Sequence, residues 1–304
     1  MSDVQRNKAL VQSFFDEVWN KGNFDYMDDI YTADFQLNAL WENTSLGRSG
    51  TAAKDEARTT IEGWLDGFPD MHVTVEEQIA EGDYVASRHI AVGTQAREFR
   101  GLPNTGKRGA ITGITINRVS GDRIAEVWTC WDAAGMMQQL GIFPGPDPEL
   151  SSEETTAMWA ALPSLPAPDG AAAGDVKAVV RRLYDEVWTG GDLSAAGALV
   201  DDGYVGHASG RSLVRGPGGL GELAAQWREA VPDLTFELHA QHAEGSRCVT
   251  RLTASGTHKG DWLGLPATGR VLKLSGVSIA RVAGGKVVSE WSEFDAIGLL
   301  GQLS

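Results

Sequence analysis

The sequence predicts an α+β protein made of two tandem domains, each a mainly antiparallel sheet with its N-terminal helices packed on one face. Three observations lead to this fold class. The motif Asp-Glu-Val-Trp at residues 16–19 recurs at 185–188, and the segment that follows it recurs in the same order. Each copy starts with apolar residues at helical spacing and continues with apolar residues at every second position. Helices followed by hairpin-connected strands are typical of α+β domains, and a curved sheet closed by helices leaves an internal pocket.

The repeat is a duplicated globular domain. Residues 68–70 correspond to 231–233 and residues 101–103 to 264–266, so the offset between the copies falls from 169 to 163 because the first copy holds six additional residues. Solenoid repeats are far shorter, about 20–50 residues. We therefore predict domains at 1–143 and 175–304.

A linker is predicted over 144–174, which holds six of the eleven prolines and ends in Ala and Gly. One short helix is expected inside it, near 155–161, with Trp159 docked onto a domain. We expect the two domains to form an intramolecular pair related by a pseudo-twofold axis, and further self-association stays open.

Within each copy the elements follow one order. Apolar residues at helical spacing predict a first helix that ends at Gly22 or Gly191, and a short second helix follows. A third helix is predicted over about 52–66 and 219–230. In the first copy, period-two alternation and hairpin turns predict strands over 73–79, 85–94, 110–119 and 124–132.

Charge and composition exclude several classes of protein. With 26 Lys and Arg against 41 Asp and Glu, the 304-residue chain has a net charge of −15, which disfavours binding to nucleic acid or anionic lipid. No apolar run approaches the roughly 20 residues of a membrane span, and the N-terminus lacks a signal-peptide pattern. Two cysteines, Cys130 and Cys248, offer no disulfide framework, which fits a reducing cytoplasm.

Common cofactor motifs are missing or out of context. Residues 216–221 match G-x-G-x-x-G, but no βαβ unit surrounds them, so we interpret them as a loop before the third helix. His239 and His242 are three apart on a strand and face opposite sides. We therefore expect no metal, no nicotinamide and no ATP, and an activity that survives chelation.

Acidic and imidazole side chains cluster in the second copy. Glu293 and Asp295 are two apart on the last predicted strand and share a face with Trp291. His258 ends an earlier strand, and His207 follows the second helix. If that face is concave, two carboxylates and two imidazoles converge on a pocket that can move a proton from carbon to oxygen. The structural alternatives are a helix cap for Asp295, a salt bridge for Glu293 and hydrogen-bonded structural roles for the histidines.

The order of motifs resembles the SnoaL-like polyketide cyclases of the nuclear-transport-factor-like cone-fold superfamily. The matching segments are 185–188, 204–207, 256–260, 264–270 and 291–295. The resemblance covers nearly all of 175–304 and, more weakly, 4–141. It implies two tandem cone-shaped domains, each a strongly curved sheet wrapped around N-terminal helices with an internal pocket. It also implies cofactor-free acid–base chemistry on polyketide-like substrates. It places the acid/base aspartate at Asp295, with Asp132 in the first copy, and the pocket histidines at His207 and His258.

The first copy departs from this pattern. Asn38 stands in place of His207, Gln95 in place of His258 and Cys130 in place of Glu293, while Asp132 is kept. His89 shares a strand face with Gln95 and is a further pocket candidate. We therefore expect the main reaction in the second domain. The predicted catalytic residues are Asp295, His258, His207, Glu293 and Asp132. The predicted substrate-binding residues are Trp291, Tyr204, Trp262, Trp128, His89, Asn38 and Gln95.

The expected function is ring closure on a polyketide-like molecule in secondary metabolism, such as antibiotic biosynthesis. In an aldol version, Asp295 removes a proton flanked by carbonyls, and His258 or His207 polarises the carbonyl that becomes an alkoxide. Epoxide hydrolysis or epoxide-opening ether formation is an alternative, although Arg251 faces away from His258 by strand parity. A pericyclase, a hydroxylating enzyme and a non-catalytic binding protein also stay open.

Overall fold

The computed structural model describes residues 2–39, 48–49, 51–142, 173–208, 212–262 and 265–303. The chain divides into two units, Met1–Ser164 and Leu165–Ser304. Each unit combines helices with one curved six-stranded sheet, so the predicted α+β fold class with two tandem domains is confirmed. The predicted linker helix near 155–161, with Trp159, lies outside the described residues.

The first unit follows the predicted order of helices and then strands. Its elements are α1 (Asp3–Phe14), a π-helical turn (Phe15–Trp19), α2 (Tyr26–Ile30), β1 (Tyr31–Ala39), β2 (Arg48–Ser49), α3 (Thr51–Gly67), β3 (His72–Glu81), β4 (Tyr84–Thr94), β5 (Arg108–Ser120), β6 (Arg123–Trp131) and α4 (Ala133–Gln139).

The second unit repeats this order with small changes. Its elements are α5 (Ala173–Arg182), a π-helical turn (Leu183–Thr189), a 3₁₀ turn (Leu193–Ala195), α6 (Ala196–Leu199), β7 (Val200–Ala208), β8 (Ser212–Arg215), α7 (Gly216–Ala230), β9 (Thr235–Glu244), β10 (Arg247–Thr257), β11 (Val271–Ala283), β12 (Lys286–Phe294) and α8 (Ala296–Leu303).

The two sheets have the same strand order. It is β2-β1-β6-β5-β4-β3 in the first unit and β8-β7-β12-β11-β10-β9 in the second. The pairs β1–β6 and β7–β12 are parallel and the other pairs are antiparallel. The sequence patterns predicted β3 to β6 within two residues, but they did not predict β1 and β7, which form the parallel pairs beside β6 and β12.

The glycine-rich segment 216–221 is the first part of helix α7. Gly216 has φ +63°, a conformation that glycine adopts without strain, and Pro217 follows in the first turn, where a proline's missing N–H costs nothing. The helix thus begins at the start of the motif, slightly earlier than predicted. Among the described residues, no helix is long and apolar enough to cross a membrane.

Each unit has its own apolar core between its helices and its sheet. In the first unit, Phe15, Phe35 and Phe68 are fully buried, and the rings of Tyr31 and Phe35 stack with centroids 4.0 Å apart. In the second unit, Leu183 and Val187 on the π-helical turn occupy the corresponding place. Burial of these side chains fixes the helices against the sheet.

Candidate active site

The second unit contains a cavity of about 540 Å³ between its helices and its sheet. This volume lies within the range of sites for drug-sized ligands. The lining residues are Tyr184, Trp188, Tyr204, Gly206, His207, Val214, Leu220, Leu223, Gln226, Trp227, Glu229, Phe236, Asp261, Trp262, Leu274, Glu290, Ser292, Phe294, Ala296 and Leu299. Of the predicted site residues, Tyr204, His207 and Trp262 lie in this wall.

Aromatic rings form much of the cavity wall. Trp227 makes edge contacts with Trp188 at 5.9 Å and with Trp262 at 5.0 Å between ring centroids. The Trp188 side chain is buried, and its Nε1–H has no hydrogen-bond partner among the described residues. A buried donor without a partner is costly.

A carboxylate that the sequence analysis did not select lies in the cavity wall. Glu290 on β12 accepts a hydrogen bond from the Tyr184 hydroxyl at 2.7 Å through Oε1 and one from the Tyr204 hydroxyl at 3.3 Å through Oε2. The Tyr184 oxygen also lies 3.0 Å from the Ser278 hydroxyl. All four side chains are buried. The group joins a π-helical turn, β7, β11 and β12.

Burial governs the electrostatics of this group. Removal from water raises the pKa of Glu290, and the hydrogen bonds from Tyr184, Ser278 and Tyr204 oppose that rise only in part. Burial and the neighbouring Glu290 also raise the pKa values of Tyr184 and Tyr204. The protonated form of Glu290 is therefore favoured over a wider pH range than for an exposed glutamate.

Gly206 makes room for the Tyr204 hydroxyl. The two residues lie two apart on β7, so they share a face, and Gly206 is the register partner of Glu290 on β12. A Cβ atom at position 206 would lie 2.5 Å from the Tyr204 hydroxyl oxygen. In the first copy, Phe35 and Leu37 occupy the positions of Tyr204 and Gly206.

The last strand presents to the described cavity the face that the sequence analysis did not select. Glu290, Ser292 and Phe294 line it, whereas Trp291 and Glu293 alternate with them and are not among the described lining residues. Trp291 and Glu293 are nevertheless buried, as Glu290 and Ser292 are. Since both faces of β12 are buried, alternation in the sequence could not tell which face is concave.

His207 is the histidine that lines the cavity. It is 3% exposed, and its ring stacks on Trp291 with centroids 6.0 Å apart and planes at 12°. Trp291 is its register partner in the parallel β7–β12 pair. The structure thus brings His207 and Trp291 together. His207 belongs to the described wall, but its ring lies on the Trp291 face of the sheet, which alternates with the face of Glu290.

His258 is not among the described lining residues, and it holds a loop. Its Nδ1 accepts a hydrogen bond from the Thr268 backbone N–H at 3.2 Å and lies 3.1 Å from the Thr268 hydroxyl. Gln95 holds the same loop in the first unit, where its Oε1 accepts from the Thr105 backbone N–H at 3.2 Å and from the Thr105 hydroxyl at 2.7 Å. The Nδ1 atom of His258 therefore acts as the acceptor that an amide oxygen supplies in the other copy, and its ring is 6.4 Å from that of Trp262.

Asp295 and Asp132 begin the last helix of each unit. Asp295 Oδ1 accepts from the Gly298 backbone N–H at 2.8 Å, and Asp132 Oδ1 accepts from the Gly135 backbone N–H at the same distance. These are N-cap geometries. Asp295 is not among the described lining residues, although the residues on both sides of it in sequence, Phe294 and Ala296, are. Its predicted role in proton transfer stays a prediction.

In the first unit, His89 belongs to a buried hydrogen-bonded chain. Its Nε2 lies 3.0 Å from the Thr115 hydroxyl, which lies 2.7 Å from the Thr129 hydroxyl, and Trp131 Nε1 donates to Thr129 at 2.8 Å. The ring centroids of His89 and Trp131 are 4.3 Å apart. Burial, together with the nearby charge of Arg88, lowers the pKa of His89 to about 3, so the imidazole is neutral.

The remaining first-unit candidates lie on other surfaces of the sheet. Asn38 and Trp128 are register partners on the β1–β6 pair, and Asn38 Nδ2 donates to Glu126 at 3.1 Å. Their face alternates with that of Val127, which belongs to the apolar core. Cys130 is buried and is not in a disulfide. The structure does not bring Asn38, Trp128 and Gln95 together with His89.

The comparison of the two copies contains the signal that could have found Glu290. Its counterpart in the first copy is Val127, and the counterparts of Tyr184 and Tyr204 are Phe15 and Phe35. Three positions thus change together from apolar to polar. Among the described residues, no group of three or more His, Cys, Asp and Glu side chains is arranged to hold a metal ion.

Comparisons with known proteins agree with this architecture. The profile of the SnoaL-like polyketide cyclase family matches residues 9–140 and 178–303. The chain belongs to the SnoaL-like polyketide cyclase family, and it carries two copies of the family's domain. The resemblance inferred from the sequence motifs is therefore confirmed. No curated protein matches the chain.

Solved structures that resemble the chain correspond in length to one of its units. A candidate SnoaL-like polyketide cyclase from Jannaschia sp. CCS1 is 22% identical and covers 45% of this chain and 96% of its own, with a TM-score of 0.42. AclR, a candidate hydroxylase from Streptomyces galilaeus, is 23% identical over 47% of this chain and 100% of its own, with a TM-score of 0.41. IdmH, a candidate polyketide cyclase from Streptomyces antibioticus, is 26% identical and covers 42% of this chain and 97% of its own, with a TM-score of 0.38.

Proposed function

We propose that this protein closes a ring on a polyketide-like molecule by acid–base chemistry, without a cofactor, in the cavity of its second unit. One observation carries the proposal: an aromatic cavity of about 540 Å³ has a buried, hydrogen-bonded carboxylate, Glu290, in its wall. An apolar cavity with a few convergent polar groups and a perturbed pKa is the usual form of an active site. Family membership supports the class of reaction.

The reaction that we propose is an aldol-type closure. A carbon atom between two carbonyl groups loses a proton, its electron pair forms a bond to a distant carbonyl carbon, and the new alkoxide takes up a proton. The cavity assists by folding the chain of the substrate against its aromatic wall, which brings the two carbons together.

The residue that accepts the proton from carbon is proposed from the family resemblance. That residue is Asp295, which lies between two residues of the cavity wall and also caps α8. Asparagine caps a helix about as well as aspartate does, but an amide cannot accept the proton. The change Asp295→Asn therefore separates the two roles.

We propose that the first unit binds or supports rather than carrying the main reaction. At the position of Glu290 it has Val127, and its buried imidazole, His89, is neutral and packed between Phe15 and Trp131. Asp132 is the counterpart of Asp295 and has the same capping contact. This asymmetry supports the second unit as the reactive one.

Epoxide opening receives less support. The arrangement expected for it needs an arginine between two carboxylates, and no arginine is among the residues described as lining the cavity. Arg251 is half-buried and alternates on β10 with Leu252 of the apolar core. No observation in the cavity favours this second candidate.

The test uses the full chain and a linear poly-β-keto ester, with isomeric or dehydrated cyclic products separated by liquid chromatography and identified by mass. We expect wild-type protein to form a cyclic product faster than buffer does. Asp295→Asn should lower the single-turnover rate by about 10²–10⁴-fold with little change in affinity. Asp132→Asn is the matched variant, and we expect a smaller effect from it.

Two results would contradict the proposal. A wild-type protein that binds the ester without accelerating any ring closure would be a binding protein. If Asp132→Asn lowers the single-turnover rate more than Asp295→Asn does, with both variants folded, the reaction takes place in the first unit.

A further inference from the structure

The duplicated chain provides its own comparison for the polar group around Glu290. The first copy builds the same sheet and the same π-helical turn with Val127, Phe15 and Phe35 at the positions of Glu290, Tyr184 and Tyr204. The fold therefore does not need the polar group. Burying a carboxylate costs several kcal/mol before its hydrogen bonds are counted, and apolar residues of similar size do as well or better.

The position of the group points to a use at the cavity. Glu290, Tyr184 and Tyr204 all line it, and Gly206 leaves the space that the Tyr204 hydroxyl occupies. His258, one of the two histidines that the sequence assigned to the carbonyl oxygen, instead holds the Thr268 loop. Of the two histidines that the sequence analysis assigned to the substrate oxygen, only His207 is among the described lining residues.

We propose that Glu290, held by Tyr184 and Tyr204, is a further catalytic residue that donates a proton to the substrate oxygen as this oxygen becomes an alkoxide or enol. For the natural substrate, this inference rests on the proposed function. Proton donation by Glu290 applies equally to any ketone or β-keto ester that fits the cavity.

The proton balance of the step closes. The C–H bond breaks and its proton goes to the base, the carbon electron pair forms the new C–C bond, and the carbonyl π pair moves to oxygen. That oxygen takes the proton of the Glu290 carboxyl, which becomes a carboxylate. Hydrogen bonds from the Tyr184 and Tyr204 hydroxyls stabilise the carboxylate. One proton then returns from the base to Glu290 through water, so the cycle has no net consumption of acid.

The protonation state of Glu290 is set by its surroundings. Burial raises its pKa, which widens the pH range in which the acid form is present. Other enzymes also use a neutral carboxylic acid as a donor. The titratable groups that line the same cavity are Tyr184, Tyr204, His207, Glu229 and Asp261. His207 is the group whose residue type ordinarily titrates near neutral pH, so it must be separated from Glu290 by mutation.

The experiment measures solvent-deuterium exchange at C2 of ethyl benzoylacetate by proton NMR, with the full-length protein. Exchange requires only formation of the enol, not ring closure. Quenching of tryptophan fluorescence first establishes a probe concentration that saturates the protein. We expect wild-type protein to accelerate exchange and Glu290→Gln to lose about 10²–10⁴-fold of the accelerated rate, since an amide can donate a hydrogen bond but not a proton.

The pH profile distinguishes a catalytic role from a structural one. The wild-type exchange rate should fall on the alkaline side as Glu290 loses its proton, and this fall should be absent in Glu290→Gln. It should persist in His207→Asn, the variant that introduces the residue found in the first copy. Glu237→Gln, a change of an exposed carboxylate on β9, serves as the unaltered control.

Three results overturn the inference: no acceleration by wild-type protein saturated with the probe, an unchanged rate in Glu290→Gln, or an alkaline fall that disappears only in His207→Asn. Wild-type protein that exchanges the probe but closes no ring on the poly-β-keto ester refutes the proposed function and leaves this inference intact. Ring closure at the wild-type rate in Glu290→Gln refutes this inference and leaves the proposed function intact.

Discussion

Replacing Gly206 by alanine should disturb one contact, that between β7 and the Tyr204 hydroxyl. The added Cβ would lie 2.5 Å from the hydroxyl oxygen and 3.0 Å from ring atoms Cε1 and Cζ, well inside the roughly 3.4–4 Å of ordinary contact. Tyr204 is buried, so its ring cannot swing into solvent. It must shift within the cavity wall, away from Glu290.

The expected cost follows from three terms. Overpacking of a buried site costs about 1–3 kcal/mol, and loss of the 3.3 Å hydrogen bond from Tyr204 to Glu290 adds about 1 kcal/mol. Gly206 does not have a positive φ, so alanine can adopt its backbone conformation. Alanine then stabilises the protein by about 0.4–1 kcal/mol because it restricts the unfolded chain. The free energy of unfolding should therefore fall by about 1–3 kcal/mol.

The assay is a double-mutant cycle by urea denaturation, with Gly206→Ala made in the wild-type and in the Tyr204→Phe background. Phenylalanine lacks the oxygen that the new Cβ meets first, so we expect the alanine to cost less in that background, with a coupling of at least about 0.5 kcal/mol. An equal cost in both backgrounds, or no cost at all, would refute the argument that Gly206 exists to admit the Tyr204 hydroxyl.

Three further predictions concern stability. Because burial raises the pKa of Glu290, the folded state binds the carboxyl proton of Glu290 more tightly than the unfolded chain does. The contribution of this protonation to the free energy of unfolding is complete below the ordinary glutamate pKa and is lost as pH rises through the raised pKa. The unfolding free energy of wild type minus that of Glu290→Gln, measured by urea denaturation from pH 4 upward, should therefore decrease with pH, and a flat difference would contradict the shift. His258→Gln should melt near the wild-type temperature, because Gln95 holds the equivalent loop in the first unit. His258→Ala should lower the free energy of unfolding by about 1–3 kcal/mol. Equal melting temperatures of the two variants would exclude the loop-holding role. Asp295→Asn should keep wild-type stability while Asp295→Ala loses about 1 kcal/mol, and an equal loss in both would show that the cap at Gly298 is not the contact that matters.

The sequence predicted the fold through features that repeat. The offset between Asp16 and Asp185 exposed the duplication, and period-two alternation predicted β3 to β6 because hairpin-linked strands with one buried face carry that signal. Strands β1 and β7 were missed. They follow a helix closely, and their parallel pairing to a strand far along the chain leaves no local turn to mark it.

The candidate site was predicted in part. Tyr204, His207 and Trp262 do line the cavity, and the capping role weighed for Asp295 is present in the structure. Glu290 was missed because both faces of β12 are buried, so alternation alone gave two faces with carboxylates and no means of choosing between them.

By itself, the sequence determined that this protein is a tandem pair of α+β domains of the SnoaL-like polyketide cyclase family, and that acid–base residues concentrate in the second copy. These properties depend on residue type and local spacing, which a sequence displays directly. Only the tertiary structure decided which carboxylate meets the cavity. That choice depends on the curvature of the sheet and on the Tyr184 and Tyr204 hydroxyls, which come to Glu290 from positions 106 and 86 residues away. Contacts over such separations are made by the packing of whole elements, and no local pattern in the chain encodes them.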